Sequence, residues 1–121
     1  MNTTQQIGRL AADPDAIRDT ERRRVTTFRL AVARPNGSSK RADFFTVEVW
    51  NRLADTCVTY LREGREVAVQ GRLEQRVWRT KDDEPRERVV IVARSVDFLR
   101  GRRNGGEAAA SADDADEAIP F

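Results

Sequence analysis

Residues 43–78, DFFTVEVWNRLADTCVTYLREGREVAVQGRLEQRVW, decide the fold of this chain. The stretch opens with a run of alternating residues, and this period of two predicts a strand over 44–50. One parity is wholly apolar and predicts the core face: Phe45, Val47 and Val49. The other parity mixes two rings with a hydroxyl and a carboxylate: Phe44, Thr46, Glu48 and Trp50. Because a carboxylate is costly to bury without partners, we expect both rings on the solvent side of a sheet.

A short helix is predicted directly after this strand. Asn51 is the expected N-cap, and Gly64 is the expected C-terminal stop. Between them, a set of apolar residues falls on one helical face: Leu53, Ala54, Cys57, Val58 and Leu61. That face predicts packing of the helix against the core, with the single cysteine, Cys57, as a buried packing residue in a reducing compartment.

A further strand is predicted from Glu66 to about Trp78. Its core parity holds four aliphatic residues: Val67, Val69, Leu73 and Val77. Its polar parity holds Gln70, Arg72, Glu74, Arg76 and Trp78. An aromatic residue again falls on the polar face beside arginines. The three rings Phe44, Trp50 and Trp78, interleaved with Arg52, Arg72 and Arg76, are typical of a surface that stacks bases and meets phosphates of single-stranded nucleic acid.

Composition excludes several classes of function. The chain has 121 residues, one cysteine and no histidine. It therefore has room for one domain, forms no internal disulfide and lacks the residues for histidine-based acid–base chemistry or Cys/His zinc sites. We expect no enzyme activity, no metal and no cofactor. Because the sequence has no membrane-spanning apolar run and no signal peptide, we expect a cytoplasmic, nucleoid-associated protein.

The charges are distributed unevenly. The net charge is +2, but residues 107–121 carry five acids and no base, which leaves residues 1–106 with a net charge of +7. A basic body predicts an anionic partner. The composition beyond Arg100 is too poor in apolar residues to order itself, so we expect a disordered acidic C-terminal tail.

The remaining segments complete an all-β pattern. Strands are predicted around Ile7–Leu10, over Val25–Arg34 and over Arg88–Leu99, with hairpin turns at Asn36-Gly37 and at the charged segment 81–85. Five strands with one short helix between strands 3 and 4 predict the Greek-key barrel called the OB-fold, whose face binds oligonucleotides.

The run LADTCVTYLREGREVAVQGRLEQRVW, the early IGRLAADP and the terminal DDADEAIPF together resemble the bacterial single-stranded DNA-binding protein family. The resemblance covers most of residues 2–100 and the last nine residues. It implies an OB-fold DNA-binding domain over 1–100, a short flexible linker over 101–112 and an acidic protein-docking tip over 113–121.

The resemblance also assigns residues. Phe44, Trp50 and Trp78 match the family's stacking aromatics, and Arg52 and Arg76 match basic positions beside them. The tip comprises Asp113, Asp114, Asp116, Glu117, Ile119, Pro120 and Phe121, and it implies docking of replication, recombination and repair proteins. The family implies a homotetramer, and the polar residues Gln5 and Gln6 in the first strand leave a homodimer open.

Other interpretations of the same residues stay open. The three rings would also suit the closed ends of a barrel or a subunit interface, and the tip would also suit a solubilising tail. Alternative functions are an OB-fold RNA-binding module, since stacking does not read the 2′-hydroxyl, or an OB-fold protein adaptor. A metal-dependent nuclease is a further rival, although no carboxylates cluster around a candidate base.

Overall fold

The computed structural model of the chain describes residues 1–21, 23–35 and 41–99. Within these ranges it contains six strands and one helix. The strands are β1 Thr4–Leu10, β2 Arg18–Thr20, β3 Arg23–Ala33, β4 Ala42–Trp50, β5 Glu66–Arg79 and β6 Pro85–Phe98, and the helix is α1 Asn51–Tyr60. The five long strands were predicted from the sequence, with the helix between the third and fourth of them. The three-residue strand β2 was not predicted.

The five long strands close into a barrel. Their order is β1-β5-β6-β4-β3, and β3 pairs again with β1 through Arg9↔Ala31 and Leu10↔Leu30. Every pairing in this ring is antiparallel except β4 with β6. β2 pairs only with β3 and stands outside the ring. A closed five-stranded Greek-key barrel confirms the predicted OB-fold.

Two glycines allow neighbouring strands of the barrel to approach closely. A β-carbon added to Gly8 would lie 2.3 Å from the carbonyl oxygen of Ala31, where β1 meets β3. A β-carbon added to Gly71 would lie 2.1 Å from the carbonyl oxygen of Val92, next to a bulge in the β5–β6 pairing. Any side chain at either position would collide with backbone, so only glycine fits there.

The core forms from the inward parity of the strands together with one face of α1. Val47 and Val49 are fully buried, and Phe45 is partly buried against the same cluster, as the alternation predicted. Cys57 is also fully buried, which confirms its packing position. The core cluster comprises Leu10, Phe28, Leu30, Val47, Val49, Ala54, Cys57, Leu61, Val67, Val69, Ile91, Val96 and Phe98.

The predicted core positions of Leu73 and Val77 are wrong. Val67 and Val69 are buried, but Leu73 and Val77 on the same parity of β5 are 44% and 68% exposed. The pairing of β1 with β5 ends at Gly71. Beyond that residue β5 pairs only with β6, so the two strands form an arm that leaves the barrel. The alternation continues along this arm, but no second layer formed by residues 1–21, 23–35 or 41–99 covers its apolar side.

Both predicted ends of the helix are also wrong. Trp50, not Asn51, is the N-cap of α1, and it makes no capping side-chain bond. Asn51 instead adopts a left-handed φ of 59°, and its Oδ1 accepts a 3.4 Å hydrogen bond from the Arg24 N–H. The helix ends at Tyr60 with Leu61 as C-cap. Gly64 lies in the turn that follows the helix and has a φ of 88°. Its N–H donates a hydrogen bond to the Leu10 carbonyl at 2.8 Å.

The turn between β5 and β6 lies at the tip of the arm. Its charged segment, predicted over 81–85, is exposed, and the Thr80 N–H donates to the Glu84 carbonyl at 3.0 Å. The predicted turn at Asn36-Gly37, the linker 101–112 and the tip 113–121 lie outside the described residues. In the described ranges, none of the helical structure is long and apolar enough to cross a membrane.

Candidate nucleic-acid interface

Three aromatic side chains lie outside the hydrophobic core, on the faces where the sequence predicted them. Phe44 and Trp78 are 51% and 42% exposed, and Trp50 is half-buried. Phe44 and Trp50 share one face of β4 and are six residues apart, which places them about 20 Å apart along the strand. Trp78 lies on the β5–β6 arm. A ligand that touches all three rings must therefore run along the outside of the barrel.

Each ring has an arginine over it. The guanidinium carbon of Arg29 lies 5.2 Å from the ring centre of Phe44, and that of Arg23 lies 5.8 Å from the ring centre of Trp50. The guanidinium carbon of Arg88 lies 5.4 Å from the ring centre of Trp78. All three distances are within the range of a cation–π interaction.

Strand register explains why this arrangement occurs three times. Phe44 pairs with Ala31, Trp50 pairs with Val25, and Trp78 pairs with Arg86. In each case the arginine over the ring lies two positions along the strand from the residue that pairs with the ring. These arginines are Arg29, Arg23 and Arg88. That diagonal neighbour shares the ring's side of the sheet and lies within reach of a long side chain.

Sequence reasoning missed all three of these arginines. Alternation along the predicted strand Val25–Arg34 puts Arg29 on the outward face, but its neighbour on β4 cannot be read from the sequence. The antiparallel pairing of β3 with β4 brings Arg29 next to Phe44, 15 positions away, and Arg23 next to Trp50, 27 positions away. The sequence alone does not fix that register. An arginine at a diagonal position becomes visible only once the register is known.

Arg72 and Arg76, which the sequence singled out, belong to a different arrangement. The Arg76 guanidinium donates to Glu48 through Nη2 at 2.6 Å and Nε at 3.1 Å, and to Glu74 through Nη1 at 2.7 Å. Arg72 Nε donates to the other oxygen of Glu74 at 2.6 Å. Two arginines and two glutamates thus form one ion network, whose formal charges cancel.

This network crosses the sheet above β6. Val92 of β6 pairs with Glu48 on one side and with Arg72 on the other, and only 5% of it is exposed. The Arg76 side chain is 36% exposed and that of Glu48 is 13% exposed. Hydrogen bonds from Arg76 and then Arg72 lower the pKa of Glu74, and hydrogen bonds to Glu48 and then Glu74 raise the pKa of Arg76. Both shifts favour the charged forms of Glu74 and Arg76.

A shallow groove of about 470 Å³ joins the network to one of the rings. It brings together Arg72 and Arg76 with Trp50, all three of which were predicted as site residues. It also adds Arg23 and Arg94, which were not. The groove is lined by Arg23, Trp50, Asn51, Arg72, Glu74, Arg76, Val92, Ala93 and Arg94.

Arg52, a further predicted site residue, is not among the residues that line this groove. Arg52 is exposed in the first turn of α1, and it takes part in none of the ring contacts recorded within the described ranges. The tip residues Asp113 to Phe121 lie outside the described residues. Across residues 1–21, 23–35 and 41–99, no three His, Cys, Asp or Glu side chains are arranged to hold a metal ion.

Comparison with known proteins gives a consistent set of relatives. The profile of the Single-strand binding protein family matches residues 1–99. A single-stranded DNA-binding protein of Bacillus cereus is 34% identical over 110 residues, or 88% of this chain. Single-stranded DNA-binding protein 3 of Listeria innocua is 36% identical over 108 residues, or 87% of this chain. The single-stranded DNA-binding protein of Thermotoga maritima is 37% identical over 98 residues, or 77% of this chain.

The relatives are longer than this chain. The match spans 65% of the Bacillus cereus protein, 68% of the Listeria innocua protein and 70% of the Thermotoga maritima protein. The shared part includes the whole barrel, since residues 1–99 contain every described strand. The faces that carry the rings and the arginines therefore lie within the matched region.

Proposed function

The chain belongs to the single-strand binding protein family, and from this premise we propose that it binds single-stranded DNA without sequence preference, through base stacking and arginine–phosphate contacts. The family consists of non-enzymatic DNA-binding proteins. The proposed contacts are Phe44, Trp50 and Trp78 for bases and the surrounding arginines for phosphates. By this action the protein protects single strands in replication, recombination and repair.

One observation carries this proposal: three aromatic rings lie outside the core of a basic barrel, each with a guanidinium within 5.8 Å. A base stacked on an aromatic side chain contributes about 1–3 kcal/mol, and every base offers a flat face. Arginine next to the ring supplies the charge that a phosphate backbone requires. Stacking and charge together favour single strands, because the bases of a duplex are already stacked on one another.

Titration with oligonucleotides tests the proposal. Both tryptophans of the chain are at proposed stacking positions, so their fluorescence should fall when a single strand binds. We expect quenching by a 35-nucleotide oligo-dT at low salt, and much weaker quenching by a duplex of the same length. Affinity should decrease as salt rises, with a slope of log K against log salt near −0.7 for each phosphate neutralised.

The same titration separates the other functions. Tighter binding of oligo-U than of oligo-dT would favour an RNA-binding role over a DNA-binding one. Absence of quenching by any single strand would favour a protein adaptor and overturn the proposal. Shortening of labelled single strands in the presence of magnesium would indicate a nuclease.

We also propose a role for the C-terminal segment, an oligomeric state and a cellular location. Residues 113–121 form a docking tip for genome-maintenance proteins, separated from the barrel by residues 101–112. The protein assembles as a homotetramer, with the polar first strand favouring the homodimer as the main alternative. It acts in the cytoplasm, on the nucleoid. Light scattering with and without oligo-dT measures the assembly, and a mass of one chain under both conditions would contradict it.

A further inference from the structure

Two sets of arginines on the ring-bearing surface differ in their partners. Arg72 and Arg76 are held by Glu74 and Glu48, at distances of 2.6 to 3.1 Å. The other group consists of the arginines over the rings: Arg23, Arg29 and Arg88. Among residues 1–21, 23–35 and 41–99, this second group has no recorded ion pair, and its guanidinium contacts are the rings themselves.

The contrast is sharpest at one cross-strand pair. Arg76 of β5 and Arg88 of β6 are directly paired in the arm, so they share one side of the sheet. Arg76 donates three hydrogen bonds to two carboxylates, whereas Arg88 lies 5.4 Å from the ring centre of Trp78. The two arginines lie opposite each other on the same side of the arm, and they differ in that only Arg76 is bonded to carboxylates. A phosphate that approaches this pair meets Arg76, which is ion-paired with two glutamates, and Arg88, which has no carboxylate partner among the described residues.

From this division we infer that Arg23, Arg29 and Arg88 are the arginines that bind the phosphates of the strand, each coupled to its own ring. In the free protein each guanidinium covers part of a ring. When a base stacks on that ring, the guanidinium turns to the adjacent phosphate. This inference rests on the proposed function, and it specifies which positive charges of the surface bind phosphate.

Both steps of this exchange lower the free energy of the complex. An exposed cation–π contact is weaker than the stacking of a base on the same ring, so a base displaces the guanidinium. The displaced arginine then gains a charge-assisted hydrogen bond to phosphate, which a planar guanidinium makes well. Arg72 and Arg76 gain less from the same phosphate, because they must first give up bonds to Glu74 and Glu48.

Salt dependence of binding tests the inference in the full-length chain. Arg88→Ala should reduce the magnitude of the slope for oligo-dT by about 0.7, the value of one phosphate contact. That change corresponds to about eightfold weaker binding at 50 mM salt and about threefold at 200 mM. Arg29→Ala and Arg23→Ala should behave alike. Arg88→Lys keeps the charge and should keep the slope.

Arg79→Ala is the matched control. Arg79 belongs to the same arm and the substitution removes the same charge, but Arg79 lies on the opposite parity of β5 and is paired with Asp83 at 3.4 Å. We expect its slope to equal that of the parent. If Arg88→Ala, Arg29→Ala and Arg23→Ala all keep the parent slope, the inference is overturned, whereas the proposed function still stands if the parent binds oligo-dT.

A second measurement checks the contact in the free protein, independently of DNA. In a Trp50→Phe background, Trp78 is the one remaining tryptophan. Arg88→Ala should then raise the quenching of Trp78 by acrylamide, a neutral quencher, and Arg79→Ala should not. Equal quenching in the two variants would show that Arg88 does not cover the ring and would overturn the exchange.

Discussion

Glu48 and Arg76 are joined by two hydrogen bonds although their strands, β4 and β5, are not neighbours in the barrel. β6 lies between them, and the two side chains meet above the buried Val92. The pair places a carboxylate in the middle of a surface that is otherwise suited to a polyanion. We therefore expect Glu48 to oppose the binding of phosphate there, both by its own charge and by its hydrogen bonds to Arg76.

Glu48→Gln should tighten the binding of single-stranded DNA at low salt. The substitution removes a negative charge close to the bound backbone and releases Arg76 from an ionic partner. Two unit charges at contact distance in water interact by about 1 kcal/mol, so we expect about fivefold tighter binding. Glu87→Gln is the control, since Glu87 pairs with Val77 and lies on the other side of the arm. Weaker binding by Glu48→Gln would show that the carboxylate orients Arg76 for DNA.

Replacement of a stacking ring should cost affinity at any salt concentration. Trp78→Ala removes an exposed ring of the arm, and we expect a loss of about 1–3 kcal/mol in binding to oligo-dT. Because Trp78 is outside the core, the melting temperature should change little. Fluorescence anisotropy of a labelled oligo-dT measures the affinity. Unchanged affinity at moderate salt would assign the ring to a structural role.

Gly8 and Gly71 should be intolerant of any side chain. Gly71→Ala and Gly8→Ala both place a methyl group within 2.3 Å of a carbonyl oxygen, so the backbone must shift. We expect each to destabilise the fold by about 1–3 kcal/mol, measured by thermal denaturation. Gly64→Ala is the comparison, because nothing lies within 4 Å of the added carbon and only its φ of 88° opposes alanine. It should cost less than either, and a larger cost would point to strain in the turn.

Cys57 should give the stability of the protein a pH dependence in the alkaline range. Burial raises the pKa of its thiol to about 12, whereas a thiol in an unfolded chain has a pKa of about 8.5. Between these values the unfolded chain binds fewer protons, so the free energy of unfolding falls as pH rises. The contribution is constant below pH about 8.5.

Cys57→Ala should remove that alkaline dependence and lower stability at pH 7 by about 1 kcal/mol, through loss of a small packed group. Urea denaturation at pH 7 and pH 10, with parent and variant side by side, measures both effects. Oligo-dT affinity should not change. A variant with normal stability and impaired binding would place Cys57 in the interface.

The acidic tip should act both on partners and on the barrel. Residues 113–121 contain four side-chain acids together with the apolar Ile119 and Phe121. Deleting them should tighten DNA binding at low salt, because a nearby anionic segment competes with DNA for the basic surface, and salt should screen that effect. Phe121→Ala keeps every side-chain charge, so we expect it to lose docking of partner proteins while DNA affinity stays near that of the parent. Normal docking by Phe121→Ala would leave the tip as a charged tail only.

The sequence determined the elements of the barrel and the side of the sheet on which each ring stands. A period of two assigned Val47 and Val49 to the core and left Phe44 and Trp50 outside, because the parity of a strand is a local property. The order of five strands and one helix was also readable, since each element carries its own pattern and its own turn signals. Resemblance to a family added the function expected of the rings.

Tertiary structure decided which groups meet. Leu73 and Val77 continue the core parity of β5, yet they are exposed because the arm has left the barrel and no other described element packs on it. The arginines over the rings depend on register, and the Glu48–Arg76 pair depends on a strand order that inserts β6 between β4 and β5. Such contacts join residues that are distant in the chain, and their geometry follows from how the strands close on one another, which no local pattern encodes.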